Sequence, residues 1–131
     1  MARILIVDDS PSQLAGMKRI VEKLGHEPLC AEDGAAGVEV AKRELPDLIL
    51  MDVVMPNLNG FQATRSISKD AATGHIPIVL VTTKDQETDK VWGMRQGARA
   101  YITKPFNEAQ LTEVIRDLLQ PAASGEAAPK A

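Results

Sequence analysis

Three stretches of the chain are apolar without interruption: residues 4–7, 48–51 and 78–81. An unbroken apolar run of this length suits a parallel strand covered on both faces. A buried helix could carry such a run, but these are too short and too close to breaking residues. Two weaker strands are expected over 27–31 and 100–102, and Pro28, which removes a ladder donor, assigns the first of these to a sheet edge. Three central and two edge strands follow.

Between the strands the spacing turns helical. Ser10, Pro11, Ser12 and Gln13 read as a capping box with proline at the first helical position. Leu14, Met17, Val21 and Leu24 then share a face, and Gly25 stops the helix. A second helix opens at Asp33 or Gly34, turns Val38, Ala41 and Leu45 inward, and ends before Pro46. A third is expected over 61–69 and a fourth over 86–96, the latter poor in large apolar residues apart from Val91, Trp92 and Met94. Asn107 caps a fifth, striped by Leu111, Val114, Ile115 and Leu118. Five alternations of strand and helix predict an α/β fold, an open doubly wound parallel sheet with right-handed crossovers.

Composition narrows the picture without changing it. The length of 131 residues, 44% of them hydrophobic, suits one domain with a real core. Residues 1–119 are expected to form it, and 120–131 read as a disordered low-complexity tail. A net charge of −3 argues against nucleic-acid or anionic-membrane partners. The lone Cys30 cannot form an internal disulfide and is expected to pack in the core. Apolar runs this short neither span a membrane nor make a signal peptide before Asp8 and Asp9, so a soluble cytoplasmic domain is expected, and separately a monomer.

In an open α/β sheet, ligands bind beyond the carboxyl ends of the strands. There the sequence sets Asp8 and Asp9 after strand one, Asp52 after strand three, Thr82 and Thr83 at the end of strand four, and Thr103, Lys104 and Pro105 at strand five. Singly, each has a bland explanation: an acid after a strand is often a helix cap, and a lone lysine is usually a solvated charge. Jointly they exceed those needs, since Ser10 can already cap the first helix and residues 53–56 do not begin another. Crowded carboxylates repel one another unless a cation compensates. Lys104 supplies one charge, and the hard oxygen ligands select Mg²⁺ as a further one. His26 and His75 lie in separate predicted loops, and no histidine or cysteine cluster suits zinc. Such a set fits phosphoryl transfer, with an aspartate as the nucleophile. No glycine-rich nucleotide loop follows strand one, so a nucleotide is not the expected substrate.

Four motifs in order complete the reading: Val7-Asp8-Asp9-Ser10, the stretch from Met51-Asp52 through Val54-Met55-Pro56 to Asn59-Gly60, Val81-Thr82-Thr83, and Tyr101-Ile102-Thr103-Lys104-Pro105. Together, over residues 3–119, they resemble the CheY-like receiver domains of bacterial two-component response regulators. Residues 59–65 and 82–92 resemble more narrowly the single-domain receivers of twitching motility. The resemblance implies a flavodoxin-like sheet of order 2-1-3-4-5 and a phosphoacceptor at Asp52. It implies Mg²⁺ held by Asp9, Asp52 and the backbone carbonyl of Val54, with Asp8 acting through water and Lys104. Lys104 would pair with a phosphoryl oxygen, Thr82 would move to meet another, Tyr101 would turn in behind Thr82, and Lys104–Pro105 would be cis. The implied donor is a chemotaxis-like histidine kinase. The implied output is a contact of helix four, strand five and helix five with a pilus motor or other effector, or drainage of phosphate from the kinase. Thr83 is bulkier than the alanine or glycine of many receivers and is expected to narrow access to the phosphoryl group.

Two other classes stay in view. A haloacid-dehalogenase-like phosphatase would want a second acid two residues after the nucleophile, where this chain has Val54. A binding module working without phosphorylation would need neither Asp9 nor Lys104.

Overall fold

A computed structural model describes residues 1–56 and 58–119; the expected tail, 120–131, lies outside the described residues. In chain order the elements are β1 (Arg3–Val7), α1 (Pro11–Lys23), β2 (Glu27–Ala31), α2 (Gly34–Glu44), β3 (Leu48–Met51), α3 (Gly60–Lys69), β4 (Ile78–Thr82), α4 (Glu87–Arg95), β5 (Ala100–Thr103) and α5 (Glu108–Leu119). The five strands form one sheet in the order β2-β1-β3-β4-β5. Every neighbouring pair is parallel, with Ile6 opposite Cys30 and Leu50, and Leu50 opposite Val79. The uninterrupted apolar runs are the three central strands, whose side chains leave alternately to the two faces of the sheet. Ile4, Ile6, Leu48, Leu50, Val79 and Val81 meet Leu14, Met17 and Val21 of α1 and Leu111 and Ile115 of α5. On the opposite face Leu5, Val7, Ile49, Met51, Ile78 and Leu80 meet Val38 and Ala41 of α2 and Ala63 and Ile67 of α3. Neither face is left to water, which is why these strands read as continuous rather than alternating.

Three local expectations need correction. Leu45 does not join the inward face of α2. It is the C-cap, in the left-handed region at φ 46°, and is 49% exposed. Pro46 disfavours a helical conformation in the residue before it, so the backbone turns at Leu45 and carries the side chain outward. Cys30 is exposed rather than packed in the core, because β2 is an edge strand and the helices cover it incompletely. Only half of the capping box of α1 forms: Ser10 Oγ accepts from the Gln13 N–H at 3.4 Å, while the N–H of Ser10 donates instead to Asp8 Oδ1 at 2.9 Å. Complete boxes occur at Asn59 with Gln62 and at Asn107 with Gln110. Among the described residues, no helix is long and apolar enough to cross a membrane.

Candidate functional site

The site is built at the carboxyl edge of the sheet, where β1 and β3 are neighbours. In register, Val7 lies opposite Met51, so the residues that follow them, Asp8 and Asp52, leave the sheet side by side. The N–H of Asp52 donates to the Val7 carbonyl at 2.9 Å and extends the ladder one step into the site. Asp8 is fully buried, Asp52 is 7% exposed, and Asp9, one residue further out, is exposed. Each of the three offers a carboxylate oxygen, and those oxygens lie within 4.8 Å of one another.

Lys104, carried in after β5, is the counter-charge. Its Nζ donates to Asp8 Oδ2 at 2.7 Å and lies 3.9 Å from Asp52 Oδ2. The N–H of Lys104 donates to the Thr82 carbonyl at 2.8 Å, which ties the start of the following loop to the end of β4. Asp8 therefore has both oxygens engaged, one by Lys104 and one by the Ser10 N–H. Asp52 uses one oxygen, Oδ1, to accept from the Val53 N–H at 2.8 Å. Burial pushes the Asp52 carboxyl above its ordinary range; Lys104 opposes this, the Asp8 charge adds to it, and the Val53 and Val54 N–H groups oppose it. The arrangement pairs a buried anchor, Asp8, with a less committed acid, Asp52, facing an open side at Asp9.

The loop leaving Asp52 is clamped by glycines. A Cβ at Gly60 would collide with the Asp52 carbonyl oxygen and the Val53 Cα, and the Gly60 N–H donates to the Val53 carbonyl at 2.9 Å. A Cβ at Gly34 would likewise collide with the Leu58 carbonyl. The starts of α2 and α3 thus lean directly on the segment that presents Asp52. Sequence reading placed Gly60 in a motif without giving it this task.

Comparison with known proteins decides the family. A model described as the response regulator receiver domain matches residues 4–116. The chain belongs to the response regulator receiver family. Among its relatives is Protein PilH of Pseudomonas aeruginosa, 60% identical over 119 residues, which cover 91% of this chain and 98% of that protein. The chemotaxis protein CheY4 of Vibrio cholerae is 30% identical, with a TM-score of 0.85 over 91% of this chain and 99% of that one. The receiver domain of a Pseudomonas aeruginosa sensor histidine kinase, also 30% identical, superposes with a TM-score of 0.84 over 90% of this chain and 97% of its own. That structure carries a magnesium ion coordinated in its active site cleft.

The remaining expected residues of the receiver lie in or just after β3, β4 and β5. Thr82 is fully buried, and its Oγ1 accepts from the Lys84 N–H at 3.3 Å. Thr83 is exposed and shares a cleft with Gln13, Lys104, Pro105 and Phe106. Lys104–Pro105 is cis. The Val54 side chain is 57% exposed, beside Met55, Phe61 and Trp92 in a groove between α3 and α4. Tyr101 is half-buried, with its hydroxyl donating to the Lys84 carbonyl at 2.7 Å. Burial, together with Asp89, Asp85 and Asp52, pushes its phenol up to about 12. His26 accepts from the Ala2 N–H through Nδ1 at 3.0 Å and stands apart from the acids, as does the exposed His75. Sequence reading missed Lys84, whose backbone meets both Thr82 and Tyr101. Nothing in a side-chain pattern signals a role carried by a peptide group.

Proposed function

We propose that this receiver is a phosphorylation switch in which Asp52 accepts a phosphoryl group from a histidine kinase. The observation that carries the reading is the approach of the Lys104 ammonium, 3.9 Å from Asp52, inside a cluster whose carboxylate oxygens span no more than 4.8 Å. Three hard oxygen donors with one open side fit Mg²⁺. Asp9, Asp52 and the Val54 carbonyl would hold it, with Asp8 behind them, and the bound ion would supply positive charge to a phosphoryl group. Asp52 attacks phosphorus, a new P–O bond forms as the P–N bond of the phosphohistidine breaks, and the leaving imidazole keeps the electron pair. Lys104 meets one of the transferred oxygens. The Thr82 hydroxyl, now accepting from Lys84, turns to donate to another. The added charge shifts a balance between two arrangements of α4, β5 and α5.

The identity to PilH over almost the whole of both chains supports a place in twitching, type IV pilus chemosensory signalling in the cytoplasm. There the output is contact with an effector such as a pilus motor, or withdrawal of phosphate from the kinase. The test is complementation of a Pseudomonas aeruginosa strain lacking PilH, beside phosphotransfer from its kinase in vitro. The wild-type chain should take the phosphoryl group and restore twitching, and Asp52→Asn should do neither. Full restoration by Asp52→Asn would point instead to a binding module that works without phosphate. Repeated turnover of a phosphomonoester would point to a phosphatase.

A further inference from the structure

The first turn of α2 is wedged between the two segments that carry the buried acids. Gly34 and Gly37 stand three residues apart, on one face of the helix, and both are buried. A Cβ at Gly37 would stand 2.9 Å and 3.0 Å from the two methyl carbons of Val7, the residue before Asp8. A Cβ at Gly34 would stand 2.0 Å from the Leu58 carbonyl oxygen and 2.9 Å from the carbonyl carbon. The two obstacles differ in kind: at Gly37 it is a side chain, at Gly34 it is main chain, which no rotamer change can turn aside. Leu58 has little room to retreat, because its side chain packs against the core that α2 helps to form. Backbone conformation does not demand glycine at position 34, since among the described residues the left-handed glycines are Gly25 and Gly97. Glycine is also a poor helix former. What position 34 requires is the close approach of the Leu58 carbonyl.

We infer that Gly34 is a positioning residue for the metal side of the site: α2 braces the segment from Asp52 to Gly60 through the Leu58 carbonyl, and so fixes Asp52 and the Val54 carbonyl. That segment is closed at its neck. The Gly60 N–H donates to the Val53 carbonyl at 2.9 Å, and a Cβ at Gly60 would meet the Asp52 carbonyl oxygen. With the neck closed, a push on Leu58 is passed to Asp52, Val53 and Val54 instead of being lost at a free end. The inference rests on the proposed Mg²⁺ site for what is positioned, but not for the contact between Gly34 and Leu58. A methyl group at position 34 would force α2 and the segment apart, and the oxygens assigned to the ion would move with Leu58.

The brace is tested by calorimetric titration with Mg²⁺ of the wild type, Gly34→Ala, Leu58→Ala and Gly74→Ala, each beside its Tm without metal. Gly34→Ala should raise the Kd for Mg²⁺ at least about tenfold, the scale on which groups behind a metal's ligands act. Gly74→Ala is the control. A Cβ there would stand 2.9 Å from the Ser68 carbonyl oxygen and 3.0 Å from that of Asp70, before β4 and so at the opposite edge of the sheet. It should lower the Tm and keep the wild-type Kd. Leu58→Ala keeps the carbonyl but removes the side chain that anchors it, and should weaken Mg²⁺ by a smaller factor. Leu58 is only partly buried, so the truncated protein keeps its fold. A folded Gly34→Ala protein that binds Mg²⁺ as the wild type does would overturn the inference. So would a Gly74→Ala protein that loses as much affinity, because destabilisation alone would then explain the loss. If Gly34→Ala does not fold, Leu58→Ala decides: weakened binding supports the brace, and unchanged binding refutes it. A wild type that binds no Mg²⁺ would sink the proposed metal site itself, and the inference with it.

Discussion

The Lys104 ammonium donates to Asp8 Oδ2 at 2.7 Å, with the two side chains only 11% and 1% exposed. A pair this deep gains little from being an ion pair as such, because both charges lose hydration. Breaking it is another matter, since the partner left behind is a buried, uncompensated charge. Lys104→Met should therefore lower the free energy of unfolding by about 3 kcal/mol, the low end for a broken buried pair. Urea unfolding in the presence of a chelator would measure it, and an unchanged midpoint would show that Asp8 is compensated by other groups.

Asp52 should act in the opposite direction. Its carboxyl is held above its ordinary value, by burial first, so its charged form is less favourable folded than unfolded. That cost is fully present once pH exceeds the folded pKa and vanishes below the unfolded one. Asp52→Asn should raise the Tm at neutral pH, and the advantage should fade as pH falls through the carboxylate range. A variant less stable than the wild type at neutral pH would contradict this sign.

Thr83 stands exposed at the mouth of the cleft that it shares with Lys104. Thr83→Ala should let small phosphodonors and water reach Asp52 faster, raising both labelling by acetyl phosphate and loss of the phosphoryl group by up to about tenfold, equivalent to about 1.4 kcal/mol of barrier. Parallel time courses on the two proteins would reveal it. Unchanged rates would remove Thr83 from the list of residues that control access.

Tyr101, the single tyrosine, offers a direct reading of the α4–β5 seam. Its phenol is pushed up to about 12, by burial and then by Asp89, Asp85 and Asp52. Ultraviolet titration should show an ionisation midpoint near that value in the folded protein. Because the folded pKa is raised, the unfolded state gives up its proton first, and stability should fall as pH rises from about 10 towards 12. Ionisation at an ordinary phenol value would mean that the ring is not seated as described.

Much of this architecture was legible in the chain because its signals are carried by side chains of strong character. The three apolar runs became the three central strands, Pro28 marked an edge, and the acids, Thr82 and Lys104 were gathered by the rule that strand ends face ligands. What stayed hidden is carried by backbone and by glycine. Ser10 looked like the owner of a complete capping box, but its N–H serves Asp8. Leu45 continued the apolar spacing of α2, yet the proline after it turned the chain. Cys30 followed the usual fate of free cysteines on paper, and an edge strand left it open to solvent. In α4 the buried residue is Gly93, which lies against the Tyr101 ring and gives no hydrophobic signal, so this contact could not be read from periodicity. Lys84 acts through its peptide group.

Phosphorylation of Asp52 is measured most directly by intact mass after incubation with Mg²⁺ and a phosphorylated histidine kinase, with Asp52→Asn and a chelator-treated sample alongside. A single phosphoryl adduct is predicted for the wild type with Mg²⁺, and none for either control. An adduct that survives the loss of Asp52, or no adduct on the wild type from the kinase, would contradict the assignment of this site.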